Sequence, residues 1–470
     1  MPEKDFDRQP PVFHSYDEAV AYLDGLGLFH VELGLDRMKR ALASLGLGRP
    51  SCPTVQVVGT NGKGSTSTFL QSLAMAHGLK TGLYTSPHFV RPEERIRIGQ
   101  STLPREEWPV YASRAVAACP GLTYFELLTV MAADFFRSSQ CDLVVCEAGL
   151  GGRWDGTTAL PADMVCFTPM GLDHTDVLGG TLAEIADDKS DALRPGILAA
   201  VSAPQPEAAR AVLEAKAGKR DVPLFSLPQE AGGPCTPAGR ELWNSLPEEL
   251  QACAVLTKDS ELGLYGAHQR VNAQTALLAW VLLCRRFGWK TDKTAIAEGL
   301  RQAFIPGRLQ FVPAGNGLPA LWLDGAHNTH GMTALKEAVD AMPAVLKPGA
   351  VVFSCLADKD PERLSALLRR TAGNVPVFVP TIPDNHRAAS GETLASFVGG
   401  NAAVAEGIPQ ALAAAAKAAG RRPVLVCGSL YLLSALFSLY PALMEGKSDE
   451  NFPYSPPSRE AIRTMPLSFP

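Results

Sequence analysis

The sequence has few of the features that mark a secreted, membrane-bound or nucleic-acid-binding protein. Its 10 cysteines include no Cys-x-x-Cys pair, which argues against a disulfide framework or a zinc site and predicts reduced, mostly buried thiols. No uncharged apolar run is long enough to span a bilayer, and the N-terminal residues MPEKDFDRQPP lack the apolar core of a signal peptide. The net charge of -5 disfavours a broad nucleic-acid-binding surface. These absences predict a cytoplasmic protein without nucleic-acid or membrane partners.

What the sequence does have is length and a regular alternation of strand-like and helix-like segments. At 470 residues the chain exceeds one typical hydrophobic core, so two domains are expected. Short apolar runs at 55–58, 142–149, 163–168 and 196–203 indicate buried strands, and helical patterns such as 124–136 lie between them. This alternation predicts an α/β fold with a mostly parallel sheet that is covered on both faces.

A second alternating series begins near residue 320, after the Pro-Gly pair at 306–307. We therefore predict a P-loop-type domain at 1–310, a smaller Rossmann-like α/β domain at 311–446 and a Pro-rich tail at 447–470.

Two segments of the predicted first domain stand out by composition. Residues 227–260 are rich in Pro, Gly and small polar residues, which predicts a loop excursion. Residues 267–288 are apolar nearly all round, which predicts a deeply packed helix.

The segment VVGTNGKGSTST at 57–68 joins a predicted strand to a predicted helix at about 65–77. Its three glycines permit unusual backbone angles and close approach of an anion: Gly59, Gly62 and Gly64. A helix N-terminus favours phosphate, Lys63 would neutralise its charge, and Ser65 could ligate Mg²⁺. The spacing departs from the common G-x-x-x-x-G-K-[ST] loop, and a plain glycine turn with an exposed lysine is the alternative; the flanking strand and helix favour a phosphate-binding loop.

The residues GTNGKGS resemble the phosphate-binding loop of the Mur ligase superfamily, specifically that of folylpolyglutamate synthase and dihydrofolate synthase. Six further segments follow the order of that family: YTSPHFVRPEERIRI (84–98), EAGLGGRWDGTT (147–158), GLDHTDVLGGTLAEIADDK (171–189), PGRLQ (306–310), LDGAHN (323–328) and CGSLYL (427–432). The resemblance implies a ligase that uses ATP to join L-glutamate to dihydropteroate or a reduced folate. It implies an acyl-phosphate intermediate and release of ADP and phosphate.

The resemblance also implies the residues of the site. The ATP-binding set is Gly59, Thr60, Asn61, Gly62, Lys63, Gly64, Ser65, Asn272, Arg308, Asp324 and Ser429. The catalytic set is Lys63, His174, Lys189, Asp324 and His327. The ligands of two Mg²⁺ ions are drawn from Ser65, Ser86, Glu147 and His174, and the folate-side residues are Phe89, Arg91, Arg95 and Asp155. In the family the lysine matching Lys189 is carbamylated.

Several of these positions have plainer interpretations. Without the resemblance, Lys189 would be a solvated lysine on a charged helix face, and Arg308 a linker residue. The run Arg-Ile-Arg-Ile at 95–98 also suits a half-exposed strand. The chain departs from the family at WDGTT (154–158), where Leu-Asp-Ala-Thr-Asn is usual, and at Thr329, where proline is common.

Three rival functions remain open on sequence grounds. One is another Mur-type ligase that adds an amino acid to a cell-wall precursor, and a second is a P-loop ATPase or switch without ligase activity. The third is a non-catalytic binding protein, which retention of the charged motif residues disfavours. Family habit predicts a monomer, and a site divided between two domains predicts closure on substrate binding.

Overall fold

A computed structural model describes residues 10–28, 30–48, 51–227, 233–234, 236–382 and 387–445. The predicted tail at 447–470 lies outside these residues. The chain divides into two compact units, the first formed by Met1–Thr257 with Asn272–Gly299 and the second by Lys258–Val271 with Leu300–Pro470.

The predicted boundary between residues 310 and 311 lies inside the second unit. Residues just before it are hydrogen-bonded within that unit: Gly263 N donates to Leu300 O (2.9 Å), and Gly325 N donates to Gly307 O (2.8 Å). The Pro-Gly break is therefore a turn leading into the first strand of the second unit.

The first unit is built on a nine-stranded sheet. Its strands are β1 (Thr54–Val58), β2 (Thr81–Tyr84), β3 (Ile96–Ile98), β4 (Ser101–Thr102), β5 (Leu143–Glu147), β6 (Met164–Phe167), β7 (Ala199–Ser202), β8 (Leu224–Ser226) and β9 (Gly233–Pro234). They lie in the order β4-β3-β2-β5-β1-β6-β7-β8-β9. Pairing is parallel from β2 to β8 and antiparallel at the two edges.

Helices cover both faces of this sheet, as the strand–helix alternation predicts. They are α1 (Tyr16–Gly25), α2 (Asp36–Ser44), α3 (Lys63–Ala76), α4 (Trp108–Ala118), α5 (Tyr124–Ser138), α6 (Thr175–Leu178), α7 (Leu182–Ser190), α8 (Glu207–Lys219), α9 (Pro237–Asn244) and α10 (Glu248–Cys253). One core joins α1, α2, α4 and α5 to strand residues such as Tyr84 and Val144. Another joins α7 and α8 to residues such as Val165 and Ala200 on the same face, since Gln56 aligns with both Cys146 and Val165. The strand residues that point to the opposite face are also fully buried, for example Val57, Val145 and Cys166.

Two long helices follow, α11 (Ala267–Phe287) and α12 (Lys293–Gln302). The predicted apolar helix at 267–288 is α11, and its residues Trp280, Val281 and Leu283 are fully buried.

The second unit is an α/β domain around a six-stranded sheet. Its elements are β10 (Gln310–Val312), β11 (Leu321–Leu323), α13 (Thr329–Ala341), β12 (Ala350–Phe353), α14 (Pro361–Ala372), β13 (Val377–Pro380), α15 (Gly391–Val398), β14 (Ala402–Ala405), α16 (Ile408–Ala419), β15 (Val424–Cys427) and α17 (Leu430–Leu439). The order is β10-β11-β15-β12-β13-β14. Only β10 is antiparallel to its neighbour among the described pairs, so the predicted α/β class is confirmed.

The prediction of an irregular loop at 227–260 is wrong, because the segment contains α9 and α10. Pro237 is the first residue of α9, a position at which proline favours helix formation. Thr236 caps this helix by accepting a hydrogen bond from Gly239 N (3.2 Å), and Trp243 packs near Phe225. Pro237 and Pro247 therefore mark the starts of helices rather than a loop.

The cysteine prediction is confirmed for the described ranges, where every cysteine has a free thiol. No helix in those ranges is long and apolar enough to cross a membrane.

Candidate active site

Four parallel strands of the first unit bring the predicted phosphate and metal residues to one edge of the sheet. Register aligns Tyr84 with Cys146 in β5, Val57 with Glu147, and Val58 with Phe167. Since the carboxyl ends of parallel strands meet at the same edge, the segments that follow β1, β2, β5 and β6 share it. This edge collects Ser86, Glu147, the turn at 59–62 and the segment at 168–174.

The turn between β1 and α3 is sterically confined to glycine at two positions. A Cβ on Gly59 would lie 1.9 Å from Thr168 Oγ1, and one on Gly62 would lie 2.4 Å from Asn272 Oδ1. Gly62 also has a left-handed φ of +87°, which glycine adopts without strain. The helix begins at Lys63, two residues before the predicted start, and Asn272 lies directly over the turn.

Two lysines converge on the carbonyl of Gly59. Lys63 Nζ donates to Gly59 O (3.2 Å) and to Thr60 O (3.1 Å). Lys189 Nζ donates to the same Gly59 O (3.0 Å). Lys189 is only 4% exposed, so the alternative of a solvated surface lysine is wrong. Burial, with a smaller effect of the Lys63 charge, lowers the pKa of Lys189 to about 7.

The loop after β5 holds α7, the helix that carries Lys189. Gly152 N donates to Asp188 Oδ1 (2.9 Å), and Arg153 pairs with Asp187 and Asp191, each at 2.5 Å. Sequence reasoning left these contacts out, although Gly152 and Arg153 stand in the motif EAGLGGRWDGTT. The sequence Gly-Gly-Arg could have indicated this contact, because two residues without side chains allow close approach to a helix and the arginine that follows can pair with the acidic residues of α7.

Of the predicted metal ligands, Ser65 and Glu147 are buried, Ser86 is partly buried and His174 is exposed. Glu147 is 5% exposed and Ser65 is 3% exposed, and Glu147 Oε2 accepts a hydrogen bond from Ser86 N (3.0 Å). His174, by contrast, has a side chain 52% exposed and a left-handed φ of +51°. Among the described residues, no three His, Cys, Asp or Glu side chains are placed so that they could hold a metal ion together. A carboxylate with hydroxyls suits Mg²⁺, a hard cation that prefers oxygen ligands and retains water or phosphate.

Asp155 organises its own loop. Its Oδ1 accepts hydrogen bonds from Thr157 N (2.9 Å) and Thr157 Oγ1 (2.5 Å), and its Oδ2 accepts one from Leu150 N (2.8 Å). The side chain is buried, and burial raises its pKa. Both carboxylate oxygens are therefore engaged by the loop, and the predicted contact with folate stays a prediction.

The other predicted folate residues lie on the segment after β2. Glu94 fixes this segment by accepting hydrogen bonds from the backbone N–H groups of Phe89 (2.7 Å) and Arg91 (2.7 Å). Phe89 is half-buried and Arg91 is exposed. Arg95 is buried, where its Nε donates to His88 Nδ1 (2.9 Å) and its guanidinium lies 5.3 Å from the centre of the Tyr124 ring. Of Arg91 and Arg95, only Arg91 is exposed to solvent.

In the second unit, Asp324 and Arg308 lie beside the loop after β11. Asp324 accepts hydrogen bonds from Leu309 N and Ala326 N, both at 2.8 Å. Burial raises its pKa, and the Arg308 guanidinium partly offsets that shift. A Cβ on Gly325 would lie 2.4 Å from Arg308 Nη1, so the arginine head lies against this loop.

His327 and Ser429 occupy neighbouring strand ends of the second sheet, since β11 pairs with β15. His327 Nδ1 is 2.7 Å from Gly325 O, and since a carbonyl can only accept, Nδ1 carries the proton of this hydrogen bond. Ser429 is the N-cap of α17 and accepts a hydrogen bond from Tyr431 N (3.1 Å). It lies at a strand-to-helix turn, as predicted, but it is 1% exposed.

Comparisons with known proteins agree with the motifs. Residues 307–430 match the family model of the Mur ligase glutamate ligase domain. Dihydrofolate synthase/folylpolyglutamate synthase of Escherichia coli (strain K12) is 33% identical over 436 residues, covering 91% of this chain and 96% of that protein.

Two solved structures are similar over the same extent. E. coli FolC in complex with DHPP and ADP has a TM-score of 0.75 and 30% identity, covering 92% of this chain and 99% of that one. The bifunctional folylpolyglutamate synthase/dihydrofolate synthase of Yersinia pestis, complexed with AMPPNP and Mn ion, has a TM-score of 0.75 and 27% identity, covering 92% and 100%. The predicted class of enzyme, an ADP-forming ligase of an acid and an amino acid, is thereby confirmed. With the seven ordered motifs and a relative matched over almost its whole length, the chain belongs to the dihydrofolate synthase/folylpolyglutamate synthase family of the Mur ligases.

Proposed function

We propose that this chain adds L-glutamate to dihydropteroate, to a reduced folate, or to both, and that it forms ADP and phosphate. The observation that carries the proposal is the convergence of Lys63 and Lys189 on Gly59 O at the N-terminus of α3. A helix N-terminus with the adjacent amine of Lys63 is a favourable place for a triphosphate, and Lys189 lies close enough to the same turn to act on a metal ion bound there. Relatives that bind ADP or AMPPNP support the nucleotide.

The first chemical step brings two anions together, because a substrate carboxylate attacks the γ-phosphate to give an acyl phosphate. Lys63 would stabilise the charge that develops on the phosphate oxygens, and the glycine turn would hold the β-phosphate through backbone N–H groups. Glutamate then attacks the acyl phosphate through its amine and phosphate leaves. No side chain need act as a nucleophile.

Divalent metal would supply charge neutralisation between the phosphates and the attacking carboxylate. Ser65, Glu147 and Ser86 are proposed to hold the first ion, because their oxygens share the buried sheet edge. His174, whose side chain is 52% exposed, is proposed for a second ion. The relative bound to a Mn ion supports a divalent metal in the family.

Lys189 is proposed to be carbamylated. The reaction requires a neutral amine that attacks CO₂, and burial beside Lys63 lowers the pKa of Lys189 to about 7. The product keeps one N–H, which can donate to Gly59 O as the amine does at 3.0 Å. Its carboxylate would add a negative charge next to a metal ion.

The remaining predicted residues are proposed as substrate contacts within their own units. Asn272, over the glycine turn, would contact the nucleotide. In the second unit Arg308, Asp324, His327 and Ser429 would serve the nucleotide or the incoming glutamate, supported by their clustering at the carboxyl ends of β11 and β15.

On the folate side, Phe89 would stack against the pterin and Arg91 would pair with a carboxylate. Arg95 and Asp155 would shape the pocket wall, since their polar atoms are largely engaged by neighbouring groups. We further propose that the enzyme is a cytoplasmic monomer, which sedimentation of the purified protein would test.

The test is phosphate release from Mg-ATP with glutamate present, supplying dihydropteroate or tetrahydrofolate in parallel. Release that needs both glutamate and dihydropteroate would establish dihydrofolate synthase activity, and release with tetrahydrofolate as well would make the enzyme bifunctional. Release without either pterin would instead favour an ATPase, and release with another acceptor would favour a different Mur-type ligase. A Lys63→Ala control identifies turnover at this site.

A further inference from the structure

The segment 151–153 contacts α7 along one helical turn. A Cβ on Gly151 would lie 2.3 Å from Asp188 Oδ1, and Gly152 N donates to the same oxygen. A Cβ on Gly152 would lie 2.4 Å from Lys189 O and 2.8 Å from Lys189 Cα. No side chain fits between the loop and the backbone of Lys189, so the two segments are in direct contact there.

Arg153 joins the two carboxylates on either side of Lys189. Its Nη2 lies 2.5 Å from Asp187 Oδ2, and its Nε lies 2.5 Å from Asp191 Oδ2. Those aspartates are four residues apart, at the end of α7 and on its C-cap, so they project from the same side of the helix. A planar guanidinium that hydrogen-bonds to both carboxylates fixes the position of α7 along its own axis relative to the loop. It also fixes the distance between the helix and the loop.

We propose that Arg153 is a positioning residue that fixes α7 against the loop after β5, and so holds Lys189 Nζ at the carbonyl of Gly59. The inference rests on the proposed role of Lys189 in the reaction. Lys189 reaches across from α7 to the glycine turn through one long, flexible side chain. A displaced helix would therefore move its amine away from the phosphate-binding turn.

A purely structural role for Arg153 makes a different prediction. Asp187 and Asp191 also receive cations from the other side: Lys216 lies 2.7 Å from Asp187 Oδ1 and 3.0 Å from Asp191 Oδ1, and Arg220 lies 2.7 Å from Asp191 Oδ1. Both aspartates remain paired when Arg153 is removed. Since the Arg153 and Asp187 side chains are 38% and 50% exposed, loss of that contact should have little effect on global stability.

The experiment compares Arg153→Gln with Lys216→Gln, which removes a cation from the same two carboxylates without touching the loop. We expect Arg153→Gln to lower kcat by about 10- to 100-fold, because small misplacements of a catalytic group have effects of that size. The KM for Mg-ATP and the melting temperature should stay near the wild-type values, and Arg153→Lys should recover part of kcat. Lys216→Gln should keep kcat near wild type.

Equal losses of kcat in Arg153→Gln and Lys216→Gln would overturn the proposal, as would an unchanged kcat in Arg153→Gln. If Arg153→Gln does not fold, Asp187→Asn is compared with Lys216→Gln, because it weakens the Arg153 contact in addition to the Lys216 contact that Lys216→Gln removes alone; equal kcat values in these two variants would then overturn the proposal. The variant Lys189→Ala distinguishes a failure of this inference from a failure of the proposed role of Lys189 on which it rests. An inactive Lys189→Ala together with a normal Arg153→Gln rejects the positioning role alone, whereas an active Lys189→Ala rejects the role of Lys189 itself.

Discussion

Replacing Gly152 with alanine should separate Lys189 from the glycine turn by steric force alone. The position does not have a left-handed φ, so alanine introduces no backbone strain there. The new Cβ would lie 2.4 Å from Lys189 O, whereas ordinary van der Waals contact begins at 3.4 Å. Because the opposing atoms are backbone, they cannot rotate away, and loop and helix must separate by about 1 Å.

A separation of this size has predictable consequences for stability and for rate. Overpacking of this kind typically destabilises a protein by about 1–3 kcal/mol, which lowers the melting temperature but leaves the protein folded. A misplacement of about 1 Å at a catalytic group can lower the rate by about 100-fold. We therefore expect Gly152→Ala to retain its circular dichroism spectrum and lose most of its glutamate-dependent phosphate release.

The matched control is Gly218→Ala in α8, where an added Cβ meets nothing within 4 Å. It should have wild-type activity and equal or slightly higher stability, since alanine favours helix more than glycine does. Activity of Gly152→Ala within a few-fold of wild type would refute the reasoning, because it would mean that close contact between the loop and Lys189 is unnecessary.

Three further changes test other parts of the site. Lys63→Ala should abolish phosphate release with either pterin, since losing one charge-stabilising group at such a site lowers the rate by about 10²–10³-fold. As a control, Lys219→Ala, which replaces an exposed lysine on α8, should leave phosphate release unchanged. Glu147→Gln keeps an acceptor for Ser86 N but removes the charge, so a Mg²⁺ titration of activity should shift to higher concentration; an unshifted titration would contradict the ligand role. Uptake of ¹³C-labelled CO₂ by Lys189, followed by NMR, should rise with pH through about 7, because the neutral amine becomes populated there. The carbamate signal should be absent in Lys189→Ala, and its absence in the wild-type protein would reject carbamylation.

The sheet and the glycine turn could be predicted because their causes are local. The apolar runs that became β1, β5, β6 and β7 are short and buried on both faces, and such runs identify central parallel strands within one to three residues. The turn at 59–62 needs glycine at two positions for steric reasons, and that need is visible in the sequence.

Contacts between distant segments could not be predicted in the same way. From the sequence of its own helix, Lys189 is predicted to be an exposed lysine, because ADDKSDALR has the pattern of a solvated helix face. Its backbone meets Gly152, and its buried amine meets Gly59 O, and both of these glycines come from segments much earlier in the chain. Asp155 likewise resembled a ligand residue, but its environment is set by the Thr157 and Leu150 groups that bond its oxygens. Local sequence shows which groups are available and leaves their partners undetermined.

Electrostatics gives a physical reason for the proposed modification of Lys189. A buried ammonium is costly, and here it shares one carbonyl with the amine of Lys63, whose positive charge further disfavours the charged form of Lys189. A neutral amine removes the repulsion but contributes no charge to the site. A carbamate turns the repulsion into attraction, keeps the hydrogen bond to Gly59 O and places a carboxylate at the sheet edge where Glu147 already lies. Of the three forms, only the carbamate places an opposite charge beside Lys63 and offers a ligand to a metal ion, so the CO₂ experiment distinguishes a structural lysine from one that acts in the reaction.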